Sequence, residues 1–256
     1  NANDESGNEN DGEVNGASLA ADRNGESGKA YSFDGQDDFI ECKNFSSKAN
    51  EGVASYSFWV YEEPNQNNKG ILGQYEWGVA HDGWRIRTDD TGNITGNTKG
   101  GDGQGDFEFG QIKTKTGRWN HVVIVINEGN VLTYLNFEKQ NEFGVRTKIA
   151  SGDYDLVIGK TLGLSNSAFG GQIDDIRIYN RALSQVEIAA LYEFEKPLLA
   201  DDLIPPVITL SAEEEVSLEM GTVYVDAGAT VTDNIDDSVY VTTSGSVDTD
   251  TAGTYT

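Results

Sequence analysis

The stretch Gly170 to Tyr192, GGQIDDIRIYNRALSQVEIAALY, constrains this chain more than any other. Ile173, Ile176, Ile178 and Tyr179 are interleaved with Asp174, Asp175 and Arg177, the alternation of a strand with one face buried. Two adjacent acids are out of place on such a strand, because an unpaired buried carboxylate shifts its pKa or demands a cation. Asn180 to Leu183 turn the chain. Ser184 and Glu187 then form a capping box, and Val186, Ile188, Ala189, Leu191 and Tyr192 follow at helical spacing. A strand therefore hands over to one short amphipathic helix.

Upstream, the pattern is all β. Two short strands in 30–42 flank the acidic turn Asp34 to Asp38, which reads as a tight hairpin. Ala54 to Tyr61 places Tyr56, Phe58 and Val60 on one face and Ser57, Trp59 and Tyr61 on the other, so both faces are covered. Ile71 to Gly73 and Trp84 to Arg87 form a second pair, and 88–106 reads as a long polar surface loop. Val122 to Ile126 is a nearly continuous apolar run, as in a central strand buried on both faces.

Charge limits the partners. Lys+Arg 18 against Asp+Glu 43 gives a net charge of -25, which disfavours nucleic acid and anionic membrane surfaces. Pro197 to Thr256 carries no Lys or Arg. The single cysteine, Cys42, allows no internal disulfide and reads as a small buried residue. No stretch is apolar for the ~20 residues a membrane helix needs.

The closing stretch, with NANDESGNENDGEVNGA (1–17), AYSFDGQDDFIE (30–41), YSFWVY (56–61), GRWNHVVIVIN (117–127) and LTYLN (132–136) in the same order, resembles the laminin-G-like, pentraxin-like jelly rolls of the concanavalin-A-like group. The resemblance implies an all-β sandwich jelly roll over 1–196 with one short C-terminal helix, beginning just after the family's first strand. A linker follows at 197–206. Residues 207–256, through PPVITL (205–210), GTVYVDAGATVTDNIDD (221–237) and GSVDTDTAGTYT (245–256), resemble bacterial immunoglobulin-like surface repeats, so a second, truncated β-sandwich is expected there. Short alternating runs at Val207 to Leu210, Glu215 to Met220 and Val239 to Val241 suit its strands. An extracellular or bacterial cell-surface setting goes with both resemblances.

For chemistry, no E-x-D-x-x-E run of the sandwich-fold glucanases exists, and no serine or cysteine stands beside His81 or His121 in a nucleophile context, so a non-enzyme is expected. The jelly-roll resemblance implies one structural Ca2+ between an early turn and the last strand, at Asp34 and Asp174, with Asp4, Asp38 and Asp175 as further ligands. The alternative is that these acids cap turns or face solvent. The segment 74–87 is rich in aromatic and polar side chains, the composition sugars need for stacking and hydroxyl bonding. Trp77, His81, Trp84, Arg85 and Arg87 are its candidates, against the alternative that Trp77 and Trp84 pack in the core. The expectation is adhesion or glycan binding, stabilised by calcium, with an accessory module of a secreted polysaccharide-degrading enzyme or a plain spacer as rivals.

Overall fold

The computed structural model describes residues 2–43, 45, 53–75, 83–99, 107–127, 129–144, 154–197, 206–211, 216–232, 240–242 and 248–253. The chain forms two compact units, Asn1–Leu198 and Leu199–Thr256.

The first unit contains β1 (Gly12–Asn15), β2 (Ser18–Ala20), β3 (Ala30–Asp34), β4 (Phe39–Cys42), β5 (Val53–Glu62), β6 (Gly70–Gln74) and β7 (Gly83–Thr88). It continues with β8 (Ile94–Lys99), β9 (Phe107–Ile112), β10 (Trp119–Asn127), β11 (Asn130–Leu135), β12 (Glu138–Gly144), β13 (Leu156–Ile158), β14 (Gly170–Tyr179) and α1 (Gln185–Glu195). One sheet has the order β1-β4-β13-β6-β7-β8-β9 and the other β12-β11-β10-β5-β14-β3-β2. They form a jelly-roll sandwich. Phe33, Tyr56, Phe58, Val60, Leu72, Trp84, Ile86, Ile124 and Phe169 fill the space between them.

β5 and β10 are buried on both faces, as their sequences require. The inner face of β5 joins the core, while Trp59 on its outer face stacks on His121 at 5.0 Å and on Tyr192 of α1 at 5.7 Å. The helix is held by its capping box, with Ser184 and Glu187 each accepting the other's backbone N–H. Val123, Val125, Tyr134, Leu183 and Ile188 make a small second cluster beneath it.

Three expectations change. β3 and β4 do not form a hairpin, since they lie in different sheets and the Asp34 to Asp38 turn is a corner between them. The stretch 88–106 is not one loop. Asp89 accepts hydrogen bonds from the backbone N–H groups of Thr91 and Asn93, closing a tight turn, and Ile94–Lys99 then pairs with β7. Ile94 is the buried anchor of that strand, and its polar residues hid it. In the second unit β15 (Val207–Leu210) pairs with β16 (Ala229–Thr232), but Val216 to Met220 forms no strand. Val216, Leu218 and Met220 are exposed, so alternation alone did not recruit them to a ladder.

Candidate functional site

The acids of the last strand find their cation within the chain. β14 bulges between Asp174 and Arg177, with Asp175 at φ 46°. Arg23, on the loop between β2 and β3, places Nη1 2.7 Å from Asp174 and Nη2 2.7 Å from Asp175. Its Nε donates to the backbone carbonyl of Glu195 and its guanidinium lies 4.8 Å over Trp59. Trp59 Nε1 in turn donates to the Glu195 carboxylate at 2.8 Å, which also pairs with Arg177. Burial, reinforced by Asp175, pushes Asp174 up to about 6 against the pull of Arg23. Burial likewise raises Glu195. Sequence reasoning missed Arg23 because it lies 151 residues from Asp174.

The predicted calcium ligands therefore fall in three places. Asp174 and Asp175 face Arg23. Asp4 orders the N-terminal loop by accepting from the N–H of Ser6 and Asn10, and its bonding to the Ser6 side chain, then to the Ser6 N–H and to Asn10, holds it down at about 2. Asp34 and Asp38 share the corner between the sheets, where Asp38 accepts the Asp34 N–H at 2.9 Å. Asp34 pairs with Gly170, four residues before Asp174 on β14, so the two stand about 13 Å apart along the strand. One shell joining Asp34 to Asp174 is thus corrected by the ladder register. Asp37, not singled out from the sequence, completes a cluster in which oxygens of Asp34, Asp37 and Asp38 lie within 4.8 Å of one another. Oxygen donors at a loop corner suit a hard cation such as calcium.

The predicted ligand residues also separate. Trp77 and His81 lie outside the described residues. Trp84 is 1% exposed, packs on Tyr56 at 4.3 Å and donates to Gln74, so it is a core residue and out of reach of a ligand. Strand alternation puts Arg85 and Arg87 on the opposite face. Arg85 is buried, bonded to Asn97 on β8 and 4.6 Å over the Tyr75 ring. Arg87 is half-buried and donates to Asn68 at 3.1 Å, and Asn68 donates to Asp90. Asn68 and Asp90 are exposed, which makes this trio the open polar part of the face.

His121 meets a serine after all: Ser57 Oγ is 2.9 Å from its Nε2. The Glu195 carboxylate approaches the same nitrogen at 3.8 Å, and Nδ1 has no hydrogen-bond partner among the described residues. A catalytic triad instead places the acid on the nitrogen away from the nucleophile. Ser57 and His121 are fully buried, and burial pushes the imidazole down to about 3. The arrangement packs α1 onto β5 and β10.

With this geometry, the comparisons define the class. The model of the concanavalin A-like lectin/glucanases superfamily matches residues 34–189, and the chain belongs to that superfamily. Residues 208–256 match the bacterial surface protein, Ig-like domain. Among solved structures, domain 4 of AbnA, a GH43 extracellular arabinanase from Geobacillus stearothermophilus in complex with arabinotriose, is similar at TM-score 0.60 and 21% identity, covering 75% of this chain and 93% of that one. The binding domain of Paraclostridial Mosquitocidal Protein 1 is similar at TM-score 0.57 and 21% identity, over 74% of this chain and 48% of that one. The botulinum neurotoxin serotype D binding domain is similar at TM-score 0.58 and 19% identity, over 75% and 48%. The chain spans about half the length of these toxin domains. At such identities the likeness establishes the fold. No curated protein sequence matches the chain.

Proposed function

We propose that the jelly roll is a non-catalytic glycan-binding module of an extracellular bacterial protein, with the immunoglobulin-like unit as an adjoining surface repeat. The observation that carries this reading is the Arg87, Asn68 and Asp90 trio at the end of β7. It joins a planar guanidinium, an amide and a carboxylate in one hydrogen-bonded set, the donors and acceptors that paired sugar hydroxyls take. Binding-type neighbours support it, as does the extracellular arabinanase domain solved with arabinotriose. That domain also favours a second reading, an accessory module that holds a polysaccharide-degrading enzyme on its substrate. Among the described residues no helix is long and apolar enough to cross a membrane.

The test is a broad glycan array that includes arabinotriose, followed by titration calorimetry on Arg87→Ala and Asn68→Ala. Loss of one charge-assisted hydrogen bond set predicts about a tenfold drop in affinity or more, with little change in melting temperature. A chain that binds no glycan is a spacer, and binding that neither substitution alters overturns the Arg87 and Asn68 site. The Asp34, Asp37 and Asp38 corner is where a calcium ion would sit in this module, stiffening the crossing between the sheets.

A further inference from the structure

In a chain with a net charge of -25, one turn carries three cations and no acid. Lys113, Lys115 and Arg118 are the only Lys, Arg, Asp or Glu between Glu108 and Glu128. The turn, 113–118 between β9 and β10, is pinned by two buried polar side chains. Asn120 Nδ2 donates to the carbonyls of Lys115 and Arg118, both at 2.9 Å, and its Oδ1 accepts the Lys115 N–H at 3.2 Å. The Glu62 carboxylate accepts the Thr114 hydroxyl, and the Glu62 carbonyl accepts the Gly117 N–H at 3.0 Å. The backbone that bears the cations is thus ordered before any ligand arrives, which lowers the entropy cost of binding. Beside it, Tyr61 of β5 and Trp119 of β10 stand opposite one another, both half-buried, with ring centroids 5.9 Å apart. They share the outer face of their sheet with Trp59. The neighbouring row on that face, Asp174, Trp59 and His121, is closed over by Arg23 and by Tyr192 of α1. The Tyr61 row stays partly open. It runs on through Gln172 of β14, Ser32 of β3 and Ser18 of β2, about 19 Å at the usual strand spacing.

We infer that this row and its basic turn form a second binding surface, for an acidic polysaccharide whose carboxylates or sulfates meet Lys113, Lys115 and Arg118 while a sugar ring stacks on Trp119 or Tyr61. Aromatic rings take the apolar face of a sugar, and amide and hydroxyl groups take its hydroxyls. The cations supply what only an anionic glycan uses. The chain as a whole repels anions, but at 0.15 M salt that repulsion is screened beyond about 8 Å, so local charge decides contact. Single-stranded nucleic acid also meets cations and rings, yet it would leave the serine and glutamine half of the row unused, which favours the polysaccharide. Glu63, exposed two residues beyond Tyr61, is the acid that bounds the surface. This surface lies on the other sheet from Arg87 and takes a charged probe, so a failure here and a failure at Arg87 are separate results.

The experiment titrates the whole chain by calorimetry with oligogalacturonate, dextran sulfate and neutral dextran at 0.15 M sodium chloride. The expected result is saturable binding of one or both acidic polymers and none of dextran, with the tighter of the two telling carboxylate from sulfate. Lys113→Glu lowers affinity at least about fivefold, while the matched reversal Lys43→Glu, on the other sheet, changes it less than about twofold. Trp119→Ala, checked for folding by circular dichroism, weakens binding by a similar factor, and Trp119→Phe restores most of it by keeping a stacking ring. Glu63→Gln tightens binding, and raising salt to 1 M weakens it. The proposal is overturned if neither acidic polymer binds, if dextran binds as well as they do, or if Lys113→Glu has no more effect than Lys43→Glu. It is equally overturned if a ten-nucleotide oligothymidylate binds more tightly than both polymers.

Discussion

Arg23 carries more of the structure than any residue singled out by sequence. Its guanidinium serves Asp174, Asp175, the end of α1 and the face of Trp59 at once. Removing one partner of a buried pair leaves an uncompensated charge, so Arg23→Ala should cost about 3–5 kcal/mol in urea unfolding. Arg23→Lys should recover only part of this, because an ammonium cannot reproduce the planar fork. Two buried groups set opposite pH dependences. His121 titrates near 6.5 when unfolded but is pushed down to about 3 when folded, so the unfolded chain binds the extra proton between them. Stability from this site is lost as pH falls from about 6.5 toward 3, by up to ~1.4 kcal/mol per pH unit. Glu62, 1% exposed, is pushed up by burial to about 7, so the folded chain holds its proton longer. Its contribution is complete below about 4.5 and is lost as pH rises toward 7. Glu62→Gln should therefore raise stability at pH 8 and expose the acid slope of His121 in denaturant titrations from pH 4 to 8, while His121→Gln should flatten that slope.

At the scale of elements, α1 is a cover more than a core helix. Only Ile188 and Glu195 are buried, and Val186 and Phe194 point to solvent. Its ends matter accordingly. Ser184→Ala removes the acceptor for the Glu187 N–H and should destabilise the unit by about 1 kcal/mol in chemical denaturation. Capping was legible because Ser184 and Glu187 are three residues apart. β8 was not, since its partners β7 and β9 supply the burial that its own polar residues do not announce. The acidic corner was legible as a turn, yet the sheets on either side of it were not. Which sheet a strand joins depends on pairings with segments far along the chain.

For the whole molecule, a net charge of -25 makes long-range repulsion part of the stability. Raising sodium chloride from 0.01 M to 0.15 M shortens screening from about 30 Å to about 8 Å and should raise the melting temperature. Calcium at matched ionic strength should raise it further, with the extra increment lost in Asp37→Ala and retained in Asp174→Asn. An increment equal to that of magnesium would leave only screening. The sequence by itself determined an all-β pattern, its central strands and the capped helix, because alternation, apolar runs and capping are local and each follows from adjacent residues; the sandwich was implied by the family resemblance. Tertiary structure decided the rest. It paired the adjacent acids with an arginine, and sent Trp84 inward and Arg87 outward. Charges, faces and ladder partners are settled by segments brought together over more than a hundred residues, where no local pattern reaches.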